Sequence, residues 1–377
     1  MVNTKLLFAV VVVIIVAVAG VAVVASGNDN GDGSEIEPRT VEITDSTGKR
    51  ITLTAPITRI CTVNTNAAEF FKILGVEDRV VSADSATKTS LDGIYGDVVD
   101  VGEYKNPSGE MIVSSDAQIV ISQSSSRSLS EQTEQALKDN YNISVLRLDC
   151  YGETMLTDIQ QLLKILVSDS ADERFEEYEK MYHNVQSTVL SKAKDVSGDP
   201  SFLMLFTSMS SKQGTYYNEN SQLGKIVESI HGHNALKDMG ISPGTGVTSK
   251  PASESVYNYD QDGALDYVFI RGVSGNTAQH DYDTWKKAMS PYAAGDMNVV
   301  KNGKVFVIET DVLSGPRDYI GYVCIAEAYG IDTGLDYESL VNVLSTPSSK
   351  VCIARAEHAF VRNRTPEAFR SESRSRE

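Results

Sequence analysis

The sequence predicts an α/β protein of two Rossmann-like lobes with parallel sheets, joined by one long helix. Three observations carry that prediction. A phrase occurs twice: Pro107-Ser108-Gly109-Glu110-Met111-Ile112-Val113 runs just ahead of the apolar Ala117-Gln118-Ile119-Val120-Ile121, and Pro251-Ala252-Ser253-Glu254-Ser255-Val256-Tyr257 runs just ahead of Leu265-Asp266-Tyr267-Val268-Phe269-Ile270. Short apolar runs alternate with amphipathic segments through both halves, the pattern of parallel strands linked by crossover helices. Residues 155–194 lie between the halves and show Ile159, Leu162, Leu163, Leu166, Phe175, Tyr178, Met181, Tyr182 and Val185 at helical spacing with few breakers.

The first lobe occupies residues 39–152. Residues 40–54 alternate apolar and polar around Asp45-Ser46-Thr47-Gly48, which predicts a hairpin. Residues 59–63 form a buried strand, and residues 67–74 an amphipathic helix ended by Gly75. A strand at 80–82, the Glu110 turn, a strand at 118–122, a helix at 130–140 and a strand at 144–148 complete the lobe. The connection, 153–196, is helical with an interruption near 168–171. The second lobe, 197–344, repeats the scheme: strand 201–206, helix 221–230, the Glu254 turn at 252–258, strands 267–270 and 305–308, and a closing helix at 319–329. From Ser345 to the end, Ser, Arg and Glu dominate, so 345–377 reads as a disordered or atypical tail.

Outside the lobes, Leu6 to Ala25 are an uncharged apolar run long enough to cross a bilayer as a helix. Lys5 precedes it and Asp29, Asp32, Glu35 and Glu37 follow, so residues 1–26 are a secretory signal peptide or signal anchor. Everything beyond lies outside the cytoplasm, with 27–38 a flexible linker. An apolar fraction of 41% and a charged fraction of 23% are those of a folded globular chain. A net charge of -17 opposes phosphate-backbone binding, so no nucleic acid is expected as a partner. Cys61, Cys150, Cys324 and Cys352 include no close pair, which removes zinc-knuckle and dithiol motifs; a Cys61–Cys150 disulfide is permitted outside the cell.

Further residues give a resemblance. Residues 41–54 followed by Ala55-Pro56-Ile57-Thr58-Arg59-Ile60, then Glu69 and Leu74-Gly75-Val76, are similar to the entry phrase of substrate-binding proteins of ABC importers for ferric siderophores, haem and cobalamin. Val101-Gly102-Glu103-Tyr104 with Pro107 to Glu110 resembles the stretch before that family's first docking glutamate. Gly232 to Asn234 resembles its second-lobe turn, and Ser314-Gly315-Pro316-Arg317 the phrase before its last helix. The likeness runs from about residue 39 to 342. It implies a ligand cleft between lobes that close little on each other, and an ABC permease dimer with its ATPase as partner. Glu110 and Glu254 match the two glutamates that dock on that permease. The family's full final helix is not matched after Asn342.

Ligands of open parallel sheets sit beyond the carboxyl ends of the strands. The loops there supply Asn64, Thr65, Tyr104 and Arg127 in the first lobe, and Tyr216, Tyr217, Arg271, Trp285 and Arg317 in the second. Tyr104 and Arg317 also match positions lining the family's cleft. Aromatic faces with guanidinium groups suit a bulky anionic metal chelate, haem or corrinoid; no cofactor or resident metal is expected. His231-Gly232-His233 reads as a turn, since two His so close lack further ligands. His183 lies on the connecting helix and His280 stands alone. Glu69 is expected to pair with Arg59. Asn142-Ile143-Ser144 is a sequon for glycosylation outside the cell. The alternatives are a two-lobed metal chelatase, which needs a His and carboxylate cluster in the cleft, and a surface ligand sensor.

Overall fold

The computed structural model describes residues 37–335, apart from 125–127, 196–197, 207–213, 274–275, 290–291 and 293, together with residue 340 and residues 354–355. The expected N-terminal membrane segment and almost all of the linker lie outside the described residues, as do Arg127 and Cys352. Among the described residues no helix is long and apolar enough to cross a membrane. Both lobes fall within one unit that begins at Pro38.

Strands β1 (Arg39–Thr44) and β2 (Arg50–Ala55) form the expected antiparallel hairpin, with Arg39 opposite Ala55 and Thr44 opposite Arg50. Its turn closes because Asp45 accepts hydrogen bonds from the backbone N–H of Thr47 and Lys49, both at 2.9 Å. Gly48 supplies the positive φ of +83° that the turn requires. One face of the hairpin buries Ile43 and packs on the helix Met155–Leu166.

The first lobe is a five-stranded parallel sheet of order β5-β4-β3-β6-β7: β3 is Ile60–Thr62, β4 Val80–Ala83, β5 Val99–Asp100, β6 Ile119–Ser122 and β7 Ser144–Arg147. Helices cover both faces, so its central strands are apolar throughout rather than alternating. Ile60, Ile119 and Ile121 join one core cluster, and Cys61 and Val120 join another. That division decides the cysteines. Cys61 and Cys150 belong to different clusters, and both are buried free thiols, so the permitted disulfide is not formed.

The connection is two helices. Met155–Leu166 buries Met155, Ile159, Leu162, Ile165 and Leu166, and ends where Val167 turns left-handed at φ 49°. Ser168 then caps Asp169–Ala193, the interlobe helix, by accepting from the Ala171 N–H. Twenty-five residues at 1.5 Å each make this helix about 37 Å long. Phe175, Tyr178, Tyr182, Val185 and Val189 form its buried stripe. One apolar cluster runs from Phe71 and Ile159 through Tyr178 and Tyr182 to Phe202, Phe269 and Tyr319, so the lobes share a core across the connection.

The second sheet has order β11-β9-β8-β12-β13-β14, with β10 on the free part of β8: β8 is Ser201–Phe206, β9 Thr215–Tyr217, β10 His233–Asn234, β11 Thr248–Ser249, β12 Tyr267–Arg271, β13 Val305–Ile308 and β14 Ala354–Arg355. The pairings β10–β8, β8–β12 and β12–β13 are parallel, and β8–β9, β9–β11 and β13–β14 are antiparallel. The expected parallel strands form the centre of this sheet, and the antiparallel pairings of β9, β11 and β14 make it mixed. Residues 207–214 are too few for the crossover a parallel return needs, so β9 comes back antiparallel. Ala354–Arg355, within the segment expected to lie outside the fold, pairs with Phe306 and Val307; the rest of that tail lies outside the described residues.

Candidate functional site

Both repeated glutamates stand where a helix begins. Ser108 caps Gly109–Ser114, accepting from the Met111 N–H at 3.3 Å, and Glu110 lies exposed in its first turn. In the second lobe Ser253–Gln261 starts after Ala252, and Glu254 lies exposed in its first turn. A helix that leads back to the start of a parallel strand begins at the carboxyl edge of the sheet. Because β6 and β12 hold equivalent places, Glu110 and Glu254 mark equivalent points on the two carboxyl edges. Tyr257 and Tyr292 stack at 5.6 Å, and the Glu254 charge acts on the Tyr292 hydroxyl, whose titration is raised.

At the first carboxyl edge, Asn64 is committed to structure. Its Oδ1 caps the helix Thr65–Ile73 by accepting from Asn66 N–H, and its Nδ2 donates to the Leu148 carbonyl at 2.7 Å. It is 1% exposed, so the expected ligand contact through Asn64 is corrected to a clamp between the ends of β3 and β7. Half-buried Thr65 shares a 2.9 Å hydrogen bond with Thr87. Tyr104 is 36% exposed in the loop after β5, with the Lys105 ammonium 5.6 Å over its ring. Tyr151, which the sequence reading missed, follows β7; burial and the nearby Asp149 raise its phenol.

The second edge brings two expected residues together. Arg271 lies 5.8 Å over the Phe206 ring with its charge acting on the Tyr217 hydroxyl, and Phe206 meets Tyr217, itself only 7% exposed, edge-on at 5.6 Å. Burial raises the Tyr217 phenol, and the Arg271 charge pulls it back. Tyr216 and Trp285 are not at this edge. Trp285 Nε1 donates to the Tyr216 hydroxyl at 3.3 Å inside a third core cluster, on the opposite face of the second sheet with Leu203, Val268 and Val307, and both are at most 1% exposed. This corrects the expectation that they meet ligand. Successive residues on a strand face opposite ways, so Tyr216 and Tyr217 cannot share the cleft side. Trp285 lies with Tyr282 and Met289 on the inner stripe of the helix Ala278–Ala288 and its cap.

Arg317 gives a further correction. It is 5% exposed and forms an ion pair with Glu69 across the lobes, in place of an open position for ligand and in place of the expected Glu69–Arg59 pair. Arg59 lies at the amino end of β3, where it donates to the carbonyls of Ser115 and Asp116. Glu69 sits on the helix that starts at the opposite end of that strand, beyond the reach of Arg59. Burial outweighs the Arg317 attraction and pushes the Glu69 carboxyl up to about 6. Beside this pair Gly315, at φ +71°, lets the backbone approach Asn66: a Cβ there would lie 2.5 Å from Asn66 Oδ1. We expect Gly315→Ala to cost about 1–3 kcal/mol in chemical denaturation, from the left-handed φ together with displacement of Asn66. A loss below 0.5 kcal/mol, roughly the scatter of a surface substitution, would contradict the strain.

The histidines are dispersed. His231 holds φ 61° in the turn with Gly232, and His233 bonds Asp238 at 2.9 Å. His183 meets Tyr182 edge-on, and His280 is exposed. No group of three or more His, Cys, Asp or Glu among the described residues is placed to hold a metal ion. A cavity of about 570 Å³ opens at the amino ends of β8, β12 and β13, lined by Asp199, Asp266, Tyr267 and Lys304, away from every expected ligand residue.

Two α/β lobes joined through one long helix and tied by the Glu69–Arg317 pair define a two-lobed protein with a helical backbone. The chain belongs to the periplasmic binding protein family, whose sequence profile matches residues 60–312. It is similar in fold to a TroA-like periplasmic binding protein, FepB, from Veillonella parvula (17% identity, 84% of this chain and 100% of that one, TM-score 0.63). Helicobacter pylori CeuE, solved with Ni(II) bound, is similar at 15% identity over 82% of this chain and 97% of that one, with a TM-score of 0.60. The periplasmic heme-binding protein RhuT from Roseiflexus sp. RS-1 is similar at 15% identity over 75% and 99%, with a TM-score of 0.57. No curated protein matches the chain in sequence.

Proposed function

We propose that the protein is an extracytoplasmic solute-binding protein that captures a chelated iron, haem or cobalamin-type ligand and delivers it to an ABC importer, held at the membrane by, or exported through, its N-terminal apolar segment. The observation that carries this reading is the matched pair of exposed glutamates, Glu110 and Glu254, one at the carboxyl edge of each lobe. Two charges so placed fix the register of a docked partner more than its affinity. Fold relatives described as heme-binding or nickel-bound support the ligand class. So does the grouping of Phe206, Tyr217 and Arg271, an aromatic wall with one guanidinium, which suits a flat or bulky anion.

The test is titration of the full chain in mild detergent with haem, cobalamin and several ferric chelates, followed by Soret absorbance and intrinsic fluorescence. One of them is expected to bind with Kd at or below 1 μM, about 8 kcal/mol. Arg271→Ala should weaken that ligand about tenfold, because it removes the charge and loosens Tyr217. Absence of micromolar binding by every ligand would overturn the chelate reading.

A further inference from the structure

Among the described residues the seam between the lobes holds a buried carboxylate, Asp318, besides the Glu69–Arg317 pair. Asp318 begins the last helix, Asp318–Ala328, and is wholly buried; neither of its carboxyl oxygens meets a donor at good hydrogen-bond geometry. Its chain neighbour Arg317 is already paired with Glu69 of the other lobe. Around Asp318 stand Tyr178 and Tyr182 from the interlobe helix, and Tyr319 and Tyr322 from its own. Around Glu69 stand Arg317, Asp311, Tyr95, Tyr178 and Tyr319. Arg317 is the one cation among these groups. The seam is also a mechanical joint: the Tyr178 hydroxyl donates to the Pro316 carbonyl at 2.8 Å, and Gly315 abuts Asn66.

We propose that Asp318 is a proton-operated latch on the interlobe seam, closed when its carboxyl is protonated and loosened when it is ionised. Protonated, it is neutral among the seam tyrosines and has a proton to offer Tyr182. Ionised, it is a carboxylate in a dry seam with no cation bonded to it among the described residues, where charge without a partner is costly.

Burial pushes the Asp318 carboxyl up to about 7, against the pull of the facing Tyr182 hydroxyl and the Tyr319 N–H, while Glu69 is raised to about 6. Both acids bind protons more tightly in the closed seam than when exposed. Seam stability is therefore greatest at acid pH, falls as pH rises from about 4, and levels off above 7. Linkage to one proton makes the opening equilibrium rise up to tenfold per pH unit inside that window.

Hydrogen–deuterium exchange of the full chain without ligand, between pH 5 and 8 and corrected for intrinsic amide rates, reads this directly. In the wild type, amides of Thr65–Ile73 and Asp318–Ala328 should open at least tenfold more at pH 7 than at pH 5, then plateau. Asp318→Asn should lose most of that rise and stay closed throughout. Tyr182→Phe, which keeps the packing and removes a group that favours the charged form, should carry the rise to higher pH before it levels. A wild type without the rise, or an Asp318→Asn variant with the same rise, overturns the latch. Should Asp318→Asn fail to fold, an unshifted profile in Tyr182→Phe overturns it alone. Because no ligand is used, these outcomes are independent of the transport reading.

Discussion

Replacing Arg317 by Ala is expected to remove about 3–5 kcal/mol of stability at pH 7.5. Breaking a buried ion pair from one side costs this much because the surviving charge stays in a dry site. Here the Glu69 carboxylate is left partly buried with the guanidinium gone. The same substitution should cost less at pH 5. Glu69 is already raised to about 6 with Arg317 present, so without it the carboxyl rises further and is protonated at pH 5. Replacing Glu69 and Arg317 together by Met should recover much of the loss, since an apolar pair of similar volume avoids the desolvation cost. Urea denaturation of the three variants at both pH values tests the argument. A loss under 1 kcal/mol for Arg317→Ala at pH 7.5 would show that the pair is solvated and would remove it as an interlobe tie.

The second large effect concerns delivery. Under the proposed function, Glu110→Lys with Glu254→Lys should lower uptake by roughly 100-fold while ligand Kd stays within twofold. Simple removal of an exposed ion pair costs only ~0–1 kcal/mol, so alanine variants should show small losses. Charge reversal sets like charges against each other, and a modest 1.4 kcal/mol per site gives about tenfold at each. Each single reversal should show its own tenfold loss, and both losses should shrink in high salt as the repulsion is screened. Uptake unchanged in the double variant, with the protein folded and ligand bound, excludes these glutamates as the docking points. It would leave ligand capture untouched, which separates this test from the titrations.

Much of the fold was legible because it rests on local rules. The hairpin could be read from Asp45 to Gly48, the first helix from its apolar residues between Ala67 and Leu74 and the Gly75 that ends it, and the interlobe helix from its stripe of Phe175, Tyr178, Tyr182 and Val185. Ser130 and Ser221 announced helix starts as N-caps, and both accept hydrogen bonds there. The mixed second sheet was partly legible too, since the short step from β8 to β9 excludes a crossover helix. Tyr216 and Trp285 were misplaced for a different reason. An aromatic residue near a strand end or helix reads the same whether it faces ligand or core, unless the strand's alternation is applied to it. Tyr151 and Phe206 were missed because a single aromatic residue at the edge of an element carries no motif.

By itself the sequence determined the two lobes, their order of strands and helices, the connecting helix and the paired glutamates, because periodicity, capping and repetition act over a few residues at a time. The tertiary structure decided which polar side chains remain for a ligand. Asn64 is spent on the Leu148 carbonyl, Arg317 on a glutamate 248 residues away, and Asp318 is left without a cation of its own. A buried charge takes its partner from whatever the packed lobes bring within a few ångströms, and that choice is made by the whole fold rather than by any segment of the chain.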